Sequence, residues 1–310
     1  MAERLTKKQR REQTQAKVAA MRAAQARKER MRKLYTALAA VLTVVVIVGV
    51  LVVVKVVGGG SSSDNAGTPS TSAPDAVVNA IGGVPLDTFN TVGAGSVKAP
   101  PAAMKDAEAI TADGKPRVLY VGAEYCPFCA AERWAITVAM SRFGSFSGLG
   151  STESAGSPEV YPSTATLSFH GATYTSSVLS FTGYEETTNK RQGQSYQPLD
   201  TVPAADEALL AKYNAPPYVD QQSAGSIPFV DIGGKYVISG ASYDPQVLQG
   251  KTHAQIAAAL SDPTSAIAKA VDGTANVITA ALCQLTKDQP SSVCTSAGVK
   301  AGAAKLSNAS

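Results

Sequence analysis

From Leu34 to Val54 the chain is apolar apart from Tyr35, two Thr and one Gly, and no polar face recurs at helical spacing. At 1.5 Å per residue such a helix covers roughly 30 Å, the thickness of a bilayer's hydrocarbon core. Lys55 falls at the far edge, where its stem can carry the ammonium to the interface. The pattern predicts one transmembrane helix over residues 34–57. The apolar part of a cleaved signal peptide runs to about 7–15 residues. This one is longer, follows a 33-residue leader and lacks a clear cleavage site, so it reads as an uncleaved anchor.

Residues 58–75 are Gly, Ser, Thr and Pro with almost no large apolar side chain, the composition of a flexible linker. Folded sequence is expected from Ala76 to the end, residues 76–310. The patterns there alternate. Arg117 to Gly122 is a short apolar run, expected as a buried strand. Cys129 to Met140 has helical spacing. Thr164 to Tyr174 and Val178 to Tyr184 are rich in β-type residues joined by a short turn. Ala204 to Tyr213 reads as helix. Ile227 to Ile232 and Tyr236 to Ser239 flank Gly233-Gly234, the composition of a hairpin. Helices are expected again over Thr252 to Leu260 and Ser265 to Leu285. The order implies an α/β domain with helices layered on a sheet.

Charge adds an orientation. The formal net charge is +4, but twelve of the 28 Lys and Arg lie in residues 1–33 beside three Glu. In the remainder acidic residues outnumber basic ones, 21 to 16. None of the basic residues lies between Gly58 and Val97. The positive-inside rule then places the basic tail, residues 1–33, in the cytoplasm and the C-terminal domain outside, in a single-pass plasma-membrane protein. The acidic balance of the domain argues against a nucleic-acid partner.

Four cysteines fall into two pairs, Cys126 with Cys129 and Cys283 with Cys294. Pro127 suits the first helical position, because its missing N–H would have no partner there. Cys126 then caps the helix, facing unpaired backbone N–H groups and the positive helix end, which stabilise a thiolate. Cys129 follows three residues later on the same face. The spacing points to a redox dithiol, with Cys126 as nucleophile and Cys129 as resolving thiol. Two other readings stay open for this pair: half of a zinc site, and an inert structural bridge. Cys283 and Cys294 read as a structural disulfide, with a relay pair as the alternative. Phe128, between the first two cysteines, is expected to be exposed and to meet substrate. Trp134 reads as core packing, Glu124 as either a proton carrier or a surface carboxylate. His170 and His253 show no metal or triad spacing, and no metal is expected.

The stretch Val118-Leu-Tyr-Val-Gly-Ala-Glu-Tyr-Cys126-Pro-Phe-Cys129 resembles the strand and active-site turn of the thioredoxin superfamily. Its Pro-Phe dipeptide is closer to the Pro-Tyr of glutaredoxins than to the Gly-Pro of thioredoxins, and Tyr125 stands where Trp is usual. Ser226-Ile-Pro228-Phe-Val-Asp-Ile232 resembles the superfamily's cis-proline segment. The resemblance implies a catalytic role for Pro228 beside the disulfide, and substrate pairing through the backbone of Ile227. More closely, Gly122 to Ser147, Tyr161-Pro162, Phe169 to Tyr174 and Asn276 to Cys283 resemble domain of unknown function family 929, membrane-tethered thioredoxin-like proteins of actinobacteria and archaea. That likeness covers about residues 80–305 and supplies no substrate. It implies a thioredoxin-like mixed sheet flanked by helices. Between the redox helix and the cis-proline hairpin, the stretch from about Ser147 to Gln222 exceeds what a minimal thioredoxin carries and is expected to be an insertion.

The expected function is a membrane-anchored extracytoplasmic thiol–disulfide oxidoreductase. Its partners would be protein thiols and disulfides and a membrane redox partner, with no cofactor beyond its own dithiol. The alternative is a redox-inactive partner-binding module at the cell surface.

Overall fold

The computed structural model describes residues 71–307. The basic tail, the expected membrane span at 34–57 and most of the expected linker lie outside the described residues. So does Asn308, which opens a glycosylation pattern at the C-terminus.

The centre is a mixed sheet built on strand β1 (Lys115–Gly122), whose last five residues are all buried. Helix α1 (Pro127–Met140) follows it. Strand β2 (Ser180–Glu185) lies parallel to β1. After helix α2 (Ala204–Tyr213) come strand β3 (Phe229–Ile232), antiparallel to β1, and strand β4 (Tyr236–Ser239), antiparallel to β3. The order across the sheet is β4-β3-β1-β2, with Ala102–Ala103 added outside β4 and Thr111–Ala112 pairing with the start of β1. The molecule is thus a mixed α/β fold whose sheet is flanked by helices.

Side-chain alternation along β1 explains the layers, because successive residues of a strand face opposite sides. Val118 and Tyr120 join the core under α1 and the long helix α3 (Ala266–Leu285). Leu119 and Val121 join a second cluster with Phe229, Val237 and Tyr213 of α2. The hairpin between β3 and β4 turns at Gly233 and Gly234, both with φ of 68°. A Cβ at Gly234 would lie 1.9 Å from the Glu108 carbonyl oxygen, so only glycine fits.

Helix α3 begins at Ser265, whose hydroxyl accepts from the Ala268 N–H, and runs as expected to Leu285. It is long and apolar enough to cross a membrane, yet 89% of its apolar window is buried. It packs on α1 and on the C-terminal helix Ala297–Ser307, and is the core helix of this domain.

Two expectations are corrected. Thr164 to Tyr174 is not one strand paired with Val178 to Tyr184. The run divides at Gly171, with φ of 70°, into Ala165–Ser168 and Thr173–Thr175. These pair with Gly150–Glu153 and Ser145–Ser147, while the following segment becomes β2 on the central sheet. Second, structure begins before Ala76: Thr71–Ser72 pairs with Gly150–Ser151, and a helix already starts at Asp75. Helices Asp75–Gly82 and Leu86–Val92 bury Val77, Ile81 and Phe89 against the α1–α3 layer.

The core holds acids whose charged form is disfavoured. Both carboxylate oxygens of Asp272 are buried without a hydrogen-bond partner among the described residues, and burial pushes its pKa up to about 8, with Arg142 opposing. Burial likewise pushes Glu132 to about 7 and Asp231 to about 6. Unfolded, such acids ionise near pH 4. Between that pH and their raised values the unfolded chain has already lost protons that the folded one keeps, so stability falls as pH rises. We expect the melting temperature to drop from pH 5 to pH 8. Asp272→Asn should flatten the slope by up to about 1.4 kcal/mol per pH unit, as read from denaturant unfolding at several pH values. An unchanged slope would refute this.

Candidate functional site

The link from β1 to α1 carries the candidate chemistry. Cys126 is the N-cap of α1 with extended backbone, and Pro127 occupies the first turn. The Cys126 sulfur accepts from the Cys129 backbone N–H at 3.2 Å, satisfying one donor that every helix start leaves free. Cys126 is 5% exposed and Cys129 is fully buried; both are free thiols. The two groups are driven apart. Hydrogen bonding from the Cys129 thiol is the largest influence on Cys126 and lowers its pKa; the N–H groups of Cys129 and Phe128 and the charge of Arg133 add to this, against burial. Burial is the main reason the Cys129 thiol is pushed well up. A lowered thiol at the rim and a raised one beneath is the arrangement of a nucleophile with a resolving partner.

Ile227 and Pro228, distant in sequence, come to the same place. The Ile227–Pro228 peptide is cis, and the Cys126 thiol points at the Ile227 carbonyl oxygen at 3.8 Å. Pro228 directly precedes β3, which pairs with β1, so sheet register carries Ile227 to Cys126. Phe128 is 40% exposed at the mouth.

Residues that the motif did not reveal surround this centre. The Phe128 ring meets the edge of Tyr161 at 6.2 Å, and Val160 beside it is 59% exposed. Tyr125 stacks on Tyr196 at 4.2 Å, and the Tyr196 hydroxyl donates to Glu159 at 2.6 Å. Val160, Tyr161 and Tyr196 all come from the segment between α1 and α2, so that segment reaches the turn that carries the cysteines.

Behind the cysteines lies a buried charge pair. Arg133 of α1 donates through Nη1 to Glu185 of β2 at 2.7 Å, to the Tyr120 hydroxyl at 3.2 Å and to the Ala123 carbonyl at 3.3 Å. Its Nε donates to Thr166 at 3.3 Å. Gly122 makes room, since a Cβ there would lie 2.2 Å from the Tyr120 hydroxyl oxygen. The pair went unread in the sequence, although an Arg inside the apolar helix pattern Ala130-Ala-Glu-Arg133-Trp-Ala was a visible signal.

The remaining candidates are placed elsewhere. Trp134 is buried and donates to the Ala165 carbonyl at 3.0 Å, so it does not face a substrate. Glu124 is buried, with Oε1 unpartnered among the described residues. His170 pairs with Asp200 at 2.6 Å, and His253 Nε2 meets the carbonyls of Thr152 and Thr166 at 2.9 Å each. Among the described residues no three His, Cys, Asp or Glu are grouped to hold a metal ion. Cys283 and Cys294 form a disulfide with Cα atoms 5.7 Å apart, tying the end of α3 to the short helix Ser291–Cys294 that precedes the last helix. Replacing both by Ser is expected to cost about 2–3 kcal/mol through loop entropy. Denaturant unfolding of the double variant checks this; unchanged stability would refute it.

A family model described as a domain of unknown function (DUF929) matches residues 102–284. No curated protein and no solved structure matches the chain.

Proposed function

Since the chain belongs to the DUF929 family, a domain of unknown function, we propose its activity from the site itself: a thiol–disulfide oxidoreductase acting on protein thiols and disulfides. One observation carries the proposal. The Cys126 sulfur caps a helix, accepting the Cys129 N–H at 3.2 Å, above a buried second thiol. Cys126 attacks a substrate disulfide as thiolate, or is itself attacked when it is bonded to Cys129. Cys129 resolves the mixed disulfide by closing the internal bridge.

We read the β4-β3-β1-β2 sheet as thioredoxin-like. Two features support this: the redox turn follows β1, and Ile227 and Pro228 stand beside Cys126. Ile227 offers a backbone carbonyl next to the reacting sulfur. Phe128, Val160 and Tyr161 offer apolar surface for a polypeptide side chain. The basic tail and the apolar run at 34–57 support an anchor with the domain outside the plasma membrane, where an oxidant or reductant in the membrane can recycle the dithiol.

Alkylation of the reduced protein across pH, followed by mass, tests the reading. Cys126 is expected to react with a midpoint below the roughly 8.5 of a free thiol, with Cys129 protected. A Cys126 that titrates like free cysteine refutes the catalytic role.

A further inference from the structure

We propose that Arg133 is a positioning residue for the redox centre: a fixed cation behind the two sulfurs that favours the dithiol over the disulfide and biases the protein toward oxidising substrate dithiols. The inference rests on the proposed oxidoreductase function and adds its direction.

The placement follows from helix geometry. Cys126, Cys129 and Arg133 stand at positions i, i+3 and i+7 of one helix, hence on one face. Arg133 is fully buried and cannot swing to solvent. Its carbonyl partner, Ala123, lies three residues before Cys126, so the guanidinium is tied to the redox turn itself. Glu185 from β2 balances the charge, and Tyr120 from β1 donates nothing to it. Nη2 of Arg133 has no partner among the described residues. Arg133 favours the thiolate at both Cys126 and Cys129, and at Cys129 Glu185 opposes it more weakly. Glu124, buried nearby, adds negative charge toward Arg133.

A positive charge there acts on both steps of oxidation. A substrate thiolate attacks Cys126 of the Cys126–Cys129 disulfide. The bond between the two cysteines breaks, a bond from substrate to Cys126 forms, and Cys129 departs with the electron pair and takes up a proton. The second substrate thiolate then attacks the substrate's own sulfur and expels Cys126 as thiolate. The substrate dithiol is oxidised to a disulfide and the protein disulfide is reduced to a dithiol, two electrons in all. Each leaving sulfur carries negative charge that the Arg133 cation attracts. Leaving groups stabilised as thiolates depart faster, and stabilising the reduced form makes a dithiol a stronger oxidant.

The test uses the full chain in detergent micelles, equilibrated with reduced and oxidised glutathione, with Cys126 ionisation followed by thiolate absorbance. The double variant Arg133→Met/Glu185→Gln removes both charges while leaving neither buried ion unpaired. It should titrate Cys126 at higher pH and shift the equilibrium about tenfold toward the disulfide, roughly 30 mV. Glu185→Gln alone keeps one acceptor oxygen for Arg133 or the Phe169 N–H and exposes the sulfurs to the unbalanced cation; it should shift both quantities the opposite way. Either variant, once folded, decides the matter. Folded variants with wild-type ionisation and equilibrium overturn the role of Arg133 while leaving the oxidoreductase standing. A wild-type Cys126 that ionises like a free thiol overturns both.

Discussion

Cys126→Ser is expected to abolish catalysed thiol–disulfide exchange, leaving the rate of a protein-free solution. Cys129→Ser should instead accumulate a mixed disulfide between Cys126 and substrate. The difference follows from the positions of the two sulfurs. Cys126 is at the rim with its thiolate favoured by the helix start, so nothing replaces it as nucleophile. Cys129 is buried behind Cys126, whose sulfur its N–H contacts, so its loss blocks the second step and not the first. The removal of a nucleophile typically costs several orders of magnitude, on the order of a millionfold in a well-studied serine protease. Reduction of insulin disulfides and refolding of a reduced, denatured protein measure the two directions. Gel-resolved adducts of Cys129→Ser, absent from Cys126→Ser, measure the trapped intermediate. Full activity in Cys126→Ser would leave the site as a scaffold, and the inert-bridge reading would take its place.

The largest stability effect is expected at Trp134. Its side chain is among the largest fully buried ones, in the layer between the sheet and α3. Trp134→Ala should cost about 3–5 kcal/mol through lost burial and the cavity left behind. The Ala165 carbonyl also loses its indole N–H donor, a further cost of about 1–3 kcal/mol if no other donor reaches it. Trp134→Phe should retain much of the packing and lose chiefly the hydrogen bond. Denaturant unfolding of the three proteins separates the contributions. A loss below about 1 kcal/mol for the Ala variant would mean that α1 is not anchored through this residue. Because Trp134 lies on the helix that carries both cysteines, the same variants should also broaden the ionisation of Cys126.

Much of the site was legible because its chemistry is local. A Cys-Pro-x-Cys spacing after an apolar strand determines which sulfur caps the helix and which lies beneath it. Gly233-Gly234 between two β-type runs indicated the hairpin that carries Pro228 and Ile227 toward β1. The expected strand at Arg117 to Gly122 and the helices at Ala204 to Tyr213 and Ser265 to Leu285 occur within a few residues of their observed limits. The segment from Thr164 to Val178 was misread because composition reports β preference and not partner. Whether Ala165–Ser168 pairs forward or back depends on what the rest of the chain buries. The short helices before residue 93 were missed because each buries only two residues, too few for a helical period to stand out.

The order of residues alone determined an acidic domain behind a basic, apolar leader, a paired set of cysteines, and a helix start shaped to hold a thiolate. These depend on neighbours within a few residues, where backbone geometry dictates position. Only the tertiary structure decided that Glu185 meets Arg133 behind the sulfurs, that Tyr161 and Tyr196 reach the rim, and that the apolar run 266–285 is a core helix. Those contacts join segments tens of residues apart. They exist because strand pairing and the burial of side chains on both faces of one sheet select them from many arrangements of similar local preference.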